Sequence, residues 1–233
     1  MHKYQRLQAT GVKATAHRLQ ARIAARFPGR NLGTVAGEIT EAIDEMVLRP
    51  HPRFYRIALR LSRLALLGVL VLGLLAFGLL VVAAGTDQTP SVWEWVAVVE
   101  SMINDVVFAG IAVFFLWHLP ARMQRRHDLR LLHRLRSLAH IIDMHQLSKN
   151  PERLSPDYPK TELSVDLGMD RYELWNYLDY CSEMLSLVGK AAALLAEQTN
   201  DQTVLSTVEG IEGLTTGMSR KIWQKISLLE VER

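Results

Sequence analysis

Residues Leu64–Ala84 read LALLGVLVLGLLAFGLLVVAA, twenty-one positions without one polar side chain. As a helix this run reaches roughly 31 Å, about the thickness of a bilayer's hydrocarbon core. A helix in the core of a soluble domain keeps polar groups on its outward side, and this run has none to offer. It is therefore expected to cross a membrane. It begins too deep in the chain for a cleavable signal peptide.

A second apolar stretch, Val96–Leu116, is expected to cross back. Trp93 and Trp95 precede it and Trp117 follows it, as interfacial aromatic anchors do. Between the stretches lies Gly85-Thr-Asp-Gln-Thr-Pro-Ser-Val92, with Asp87 as its one charge. So short a linker makes the two helices antiparallel neighbours. Arg49, Arg53, Arg56, Arg60 and Arg63 lead into the first stretch, and Arg122, Arg125, Arg126, Arg130, Arg134 and Arg136 follow the second. The positive-inside rule puts both clusters, and both termini, in the cytoplasm of a cell with a multi-pass inner (plasma) membrane protein. Arg60, Arg63, Arg122, Arg125 and Arg126 are the expected interfacial cations.

The second stretch also contains Glu100, Ser101, Asn104 and Asp105. At 100° per residue, Asn104, Ser101 and Asp105 fall roughly 40°, 100° and 140° from Glu100, so all four share one side. A carboxylate at mid-membrane costs about 2.5–3.5 kcal/mol on insertion scales. This side must face protein or water. One reading is a water-lined path in which Glu100 and Asp105 attract cations or relay protons. The other is hydrogen bonding between helices, with Asp105 protonated. The first stretch offers no polar partner, and one hairpin cannot enclose a pore, so both readings imply a homo-oligomer.

Charge elsewhere narrows the function classes. Residues 1–63 carry twelve Lys/Arg against four Asp/Glu, whereas residues 119–233 carry fifteen against sixteen. A basic segment ahead of a span suits anionic lipid headgroups. No stacking aromatics or recognition motif accompanies it, so no nucleic-acid partner is expected. The single cysteine, Cys181, permits no intrachain disulfide and fits a reducing cytosol. No P-loop, dinucleotide-binding glycine pattern, nucleophile elbow or zinc-protease motif occurs. No enzymatic activity, cofactor or catalytic residue is expected. His140-Ile-Ile-Asp143-Met-His145 is the nearest thing to a metal cluster, but His140 and His145 diverge by roughly 140° on a helix, and no metal is expected.

The rest reads as all-α. Helices are expected over residues 3–27 and 32–48, in a basic N-terminal region of residues 1–56. A long helix should continue from the second span through residues 121–147, followed by an irregular connector over 149–168. Asp170-Arg-Tyr-Glu173 has the form of a capping box. The helix it opens repeats Leu174, Leu178, Cys181, Leu185, Val188, Ala192 and Leu195 at 4-3 spacing, the seam of a coiled coil or long bundle. Thr199-Asn-Asp-Gln202 suggests a second capping box, opening a last helix with Val204, Val208, Ile211, Met218, Ile222 and Leu229. On that helix Gly210, Gly213 and Gly217 share a face, which implies close packing against another helix, such as the stretch from Gly189, or a groove for a ligand or partner. Two charge patterns complete the expectation. Tyr172, Trp175, Asp179 and Glu183 are expected to meet basic residues of the last helix. Glu38, Glu41, Asp44 and Glu45 could pair with the arginines before the first span or form a solvated face.

The whole is a two-helix transmembrane hairpin, residues 57–119, with a cytoplasmic three-helix bundle, residues 120–233. Over residues 1–147 the layout resembles the two-span effector domains associated with bacterial nucleotide-signalling and defence systems. The runs His133–Leu147 and Tyr177–Leu185 resemble a recurrent bacterial two-transmembrane family. The resemblance implies a membrane-perturbing or pore-forming module. A membrane-anchored adaptor, whose bundle recruits a cytosolic protein, is the alternative.

Overall fold

The computed structural model describes residues 7–47, 53–84, 92–164 and 166–231. Every regular element among them is helical, in the order α1 (Ala9–Arg26), α2 (Asn31–Val47), α3 (Arg53–Ala84), α4 (Val92–Leu147), α5 (Arg171–Ala196) and α6 (Gln202–Val231), with one 3-10 turn at Pro151–Leu154. The chain divides into two units. One comprises residues 1–49 and 125–233, and the other residues 50–124.

The first unit is a helical bundle, and its N-terminal pair belongs to it. The sequence reading keeps residues 1–56 apart from a three-helix bundle. In the structure α1 and α2 pack on each other and both pack on α5. Five helical segments therefore share one core: α1, α2, the end of α4, α5 and α6. The reason is visible in α1. Its apolar positions Val12, Ala16, Leu19 and Ile23 repeat at helical spacing, and all four are buried. A helix with one apolar stripe must cover it against another element.

The expected stripes are all buried: Val35, Ile39, Ile43 and Met46 on α2; Leu131, Leu135, Leu138 and Ile142 on α4; Leu174, Leu178, Cys181, Leu185, Val188, Ala192 and Leu195 on α5; Val204, Val208, Ile211, Met218, Ile222 and Leu229 on α6. Phe27 sits edge-on to Tyr177 and Tyr180, at 5.6 and 6.1 Å between ring centres, and so fastens the end of α1 to α5. Buried hydroxyls are satisfied within their own helices. Thr40 donates to the Ala36 carbonyl and Thr215 to that of Ile211.

The helix starts follow local chemistry. At α5 the capping box forms in full: Asp170 Oδ1 accepts from the Glu173 amide at 2.7 Å, and Glu173 Oε2 accepts from the Asp170 amide at 3.1 Å. At α6 the cap lies two residues beyond the expected Thr199. Asp201 Oδ1 accepts from the Thr203 and Val204 amides, while Thr199 Oγ1 accepts from the Asp201 amide inside the turn. Aspartate reaches the first-turn amides directly, and Thr199 lies too early to do so.

The second unit holds α3 and the first part of α4. As expected, the helix through the second apolar stretch runs on without a break to Leu147, passing through Pro120. Proline has no amide hydrogen, so the Leu116 carbonyl loses its helical donor there. The connecting residues 85–91, including Asp87, lie outside the described residues, as does Arg49.

Candidate functional site: the polar side of an apolar helix

Most of the described apolar side chains in the second unit are exposed. Leu64, Leu67, Leu72, Leu74 and Leu75 of α3 are exposed, Leu72 at 72%. On α4 the same holds for Val96, Ile103, Val106, Phe108, Ile111, Phe114 and Phe115, with Phe108 at 71%. Among the described residues one helical stretch, Val106–Leu154, contains an apolar window long enough to cross a membrane, and Arg63–Leu75 is a shorter apolar helix. The expected pair of spans is thus matched here by one long candidate. Only 6% of its window is buried, whereas a core helix of a soluble domain is mostly covered.

Glu100 and Asn104, one turn apart, are exposed on the same side of α4. Ser101 and Asp105 belong to the same helix, but their side chains lie outside the described residues, as do those of Trp93 and Trp95. Trp117 is exposed, and so are Arg60, Arg63, Arg122 and Arg126. His118 turns back on its own helix, its Nδ1 2.8 Å from the Phe114 carbonyl.

Arg125 does something the sequence did not disclose. Its guanidinium Nε donates to the Asp201 carboxylate, which also caps α6. Burial by itself would raise the Asp201 carboxyl. The Arg125 bond and the two amide bonds outweigh it and hold the group below the usual carboxylate range. Arg134 bridges Glu41 and Glu45 of α2, and Asp44 takes Lys13 and His17 of α1. Glu41, Asp44 and Glu45 of α2 are therefore paired with α1 and α4, while Arg49 and the side chains of Arg53 and Arg56 lie outside the described residues. Glu183 likewise pairs with Arg22 of α1 at 3.1 Å, instead of with the last helix. Lys225 of α6 donates to the Gln146 carbonyl at 2.7 Å. Each of these pairings depends on how the helices are rotated against one another, which helical periodicity alone leaves open.

No protein-family model, no curated protein and no solved structure matches this chain.

Within the bundle, Leu174, Leu178, Cys181, Leu185 and Val188 form the expected seam, all fully buried. Burial pushes the Cys181 thiol up to about 12, against the pull of Lys225 and Lys149, so it is an inert core group. The glycines of α6 behave otherwise than expected. Gly210, Gly213 and Gly217 are exposed, and a methyl group added at any of them would meet nothing within 4 Å. They do not pack inside the bundle. The close approach is at Gly189 of α5, where an added Cβ would lie 3.1 Å from Thr215 Oγ1. Thr215 is thus the α6 residue that lies closest to this glycine. Among the described residues no three His, Cys, Asp or Glu side chains converge on a metal-sized site.

Proposed function

We propose that this chain is a two-span inner-membrane protein, with both termini in the cytoplasm, that works as a homo-oligomeric ion-conducting channel or pore-type effector. The polar side of the second span, Glu100, Ser101, Asn104 and Asp105, lines the path. The observation that carries this reading is the uncovered apolar surface of α3 and α4, interrupted on one side by the exposed Glu100 and Asn104. Apolar surface so extensive is not left to water in a soluble monomer. An intramembrane carboxylate needs a protein or aqueous neighbour. Copies of the second span supply both when their polar sides meet.

Ion flux through proteoliposomes containing the purified chain tests this. The wild type passes cations in preference to anions. Glu100→Gln and Asp105→Asn each lower the cation preference severalfold, and together they remove it. An assembled oligomer that passes no ions under any gradient or voltage sinks the proposal.

The adaptor reading keeps one specific support, the open groove of about 490 Å³ between α5 and α6, with Trp223 half exposed at its edge. A cytosolic protein retained by the wild type and lost on Trp223→Ala, with flux absent in both, would favour it.

A further inference from the structure

Outside the apolar region, one recess of about 370 Å³ gathers basic and neutral polar groups without a carboxylate. Arg30, Asn31, His145, Ser148, Lys149 and Tyr177 line it. The backbone explains why they meet. Gly29, at φ +78°, turns the chain sharply between α1 and α2, so Arg30 and Asn31, at the start of α2, line the recess. The Gly33 amide is taken by the Arg30 carbonyl, but the first turn of α2 carries no acidic residue to offset its partial positive charge. From the other side come the last turn of α4 with His145, and Lys149 just beyond it. The Lys149 ammonium stands 5.7 Å from the centre of the Tyr177 ring.

Two features separate this cluster from an ordinary solvated basic surface. First, the cations hold each other at a cost. Burial lowers the Lys149 pKa, and Arg30 and Arg153 lower it further. Second, two of the carbonyls that would repel an anion are already engaged. The end of a helix presents carbonyl oxygens, but the Gln146 carbonyl accepts from Lys225 and from the Lys149 amide, and the Ser148 carbonyl accepts from Arg153. Arg30 is held in place by one bond to the Gly168 carbonyl at 2.6 Å, which leaves most of its five N–H donors available. Tyr177 is buried, and that burial keeps its phenol protonated as a donor.

We propose that this recess is a binding site for a phosphate-class anion, held between the Arg30 guanidinium and the Lys149 ammonium beside the start of α2. A guanidinium fork and a point cation form a donor set that phosphate oxygens take, and the partial positive charge of a helix start favours the same ligand. The proposal does not depend on ion conduction. The phosphate could belong to a free small molecule or to a lipid headgroup, and the two sources are separable.

The full chain, purified in neutral detergent, is titrated calorimetrically with inorganic pyrophosphate and, separately, with a short-chain phosphatidylglycerol. Lys149→Gln should weaken binding about tenfold or more, the scale of one lost charge-assisted bond. Lys190→Gln, a basic residue of the α5–α6 groove, should change nothing. Arg30→Gln should match Lys149→Gln, and helical content by circular dichroism verifies the fold of each variant. If Arg30→Gln fails to fold without its Gly168 bond, Lys149→Gln alone decides. Lys149-dependent binding of pyrophosphate assigns the site to a free phosphate compound. Lys149-dependent binding of phosphatidylglycerol only assigns it to a headgroup. Absence of binding to both, or binding equally strong in Lys149→Gln, overturns the proposal.

Discussion

Helices α3 and α5 are built from much the same apolar residues and place them in opposite surroundings. On α5 the leucines at 174, 178 and 185 are fully buried, and polar residues such as Glu183 and Lys190 occupy other directions. On α3 the leucines at 64, 67, 72 and 75 are each more than half exposed, and between Leu64 and Ala84 no direction carries a polar side chain. Removing a leucine from water is worth about 1.5–3 kcal/mol. The bundle gains that energy by folding on itself. Helix α3 has no described neighbour that covers it, and in the proposed reading lipid supplies that cover. Where the apolar residues lie around a helix, more than how many there are, decides whether it can bury them within its own bundle.

The sharpest way to break this comparison is to truncate one leucine in each helix. Leu178→Ala should cost the bundle about 2–5 kcal/mol, since it opens a cavity in a packed core. Leu72→Ala should leave bundle stability unchanged within error. Denaturant titration of the detergent-solubilised chain, followed by helical signal, measures both. Equal losses would mean that α3 is covered by protein after all.

A smaller effect separates the two kinds of glycine. Gly213→Ala should stabilise the bundle of the full chain by about 1 kcal/mol through helix propensity, because its surroundings are open. Gly189→Ala should destabilise it, because Thr215 Oγ1 would have to move. If Gly213→Ala instead disrupts the oligomer, the open glycine face is an inter-subunit contact. Thermal midpoints and oligomer size, measured on the same samples, distinguish the two cases.

The smallest expected effects are electrostatic. Burial, with Glu183 nearby, raises the Asp179 carboxyl, only partly offset by Arg22. A raised folded pKa means that the folded state binds the proton more tightly, so stability falls as pH rises from the ordinary carboxylate value through the folded one. Asp179→Asn should therefore raise stability at neutral pH by less than about 1 kcal/mol, allowing for solvent screening, and lose that advantage in acid. Asp201 has the opposite sign. Its lowered pKa contributes stability above the ordinary carboxylate range that is lost as pH falls. Asp201→Ala should lower the thermal midpoint at pH 7, with the gap closing in acid.

How legible each feature was follows from its range along the chain. Asp170 and Glu173 are three residues apart, so their box could be read directly and forms as written. The stripes on α2, α4, α5 and α6 were legible for the same reason, because periodicity states which side is buried. Partners were not legible. Glu183 meets Arg22, 161 positions away, and Arg125 meets Asp201, 76 positions away. Nothing in the sequence ranks those pairs above the basic residues of α6. The polar residues of the second apolar run were conspicuous in the sequence as chemistry, since Glu100 there is costly wherever that run is buried in an apolar medium. The Arg30–Lys149 recess was not, because its two halves lie in segments that only packing brings together.

By itself the sequence determined that the chain is helical, which face of each bundle helix is buried, and that one apolar run has no face to give to water. These are consequences of local spacing, of 3.6 residues per turn and of the cost of wetting apolar surface. Tertiary structure decided that α1 and α2 complete the bundle, that the glycines of α6 stay open while Gly189 takes the close contact, and which charges pair. Those outcomes depend on the rotation and offset of one helix against another. Many side chains settle that together, and no single stretch of sequence encodes it.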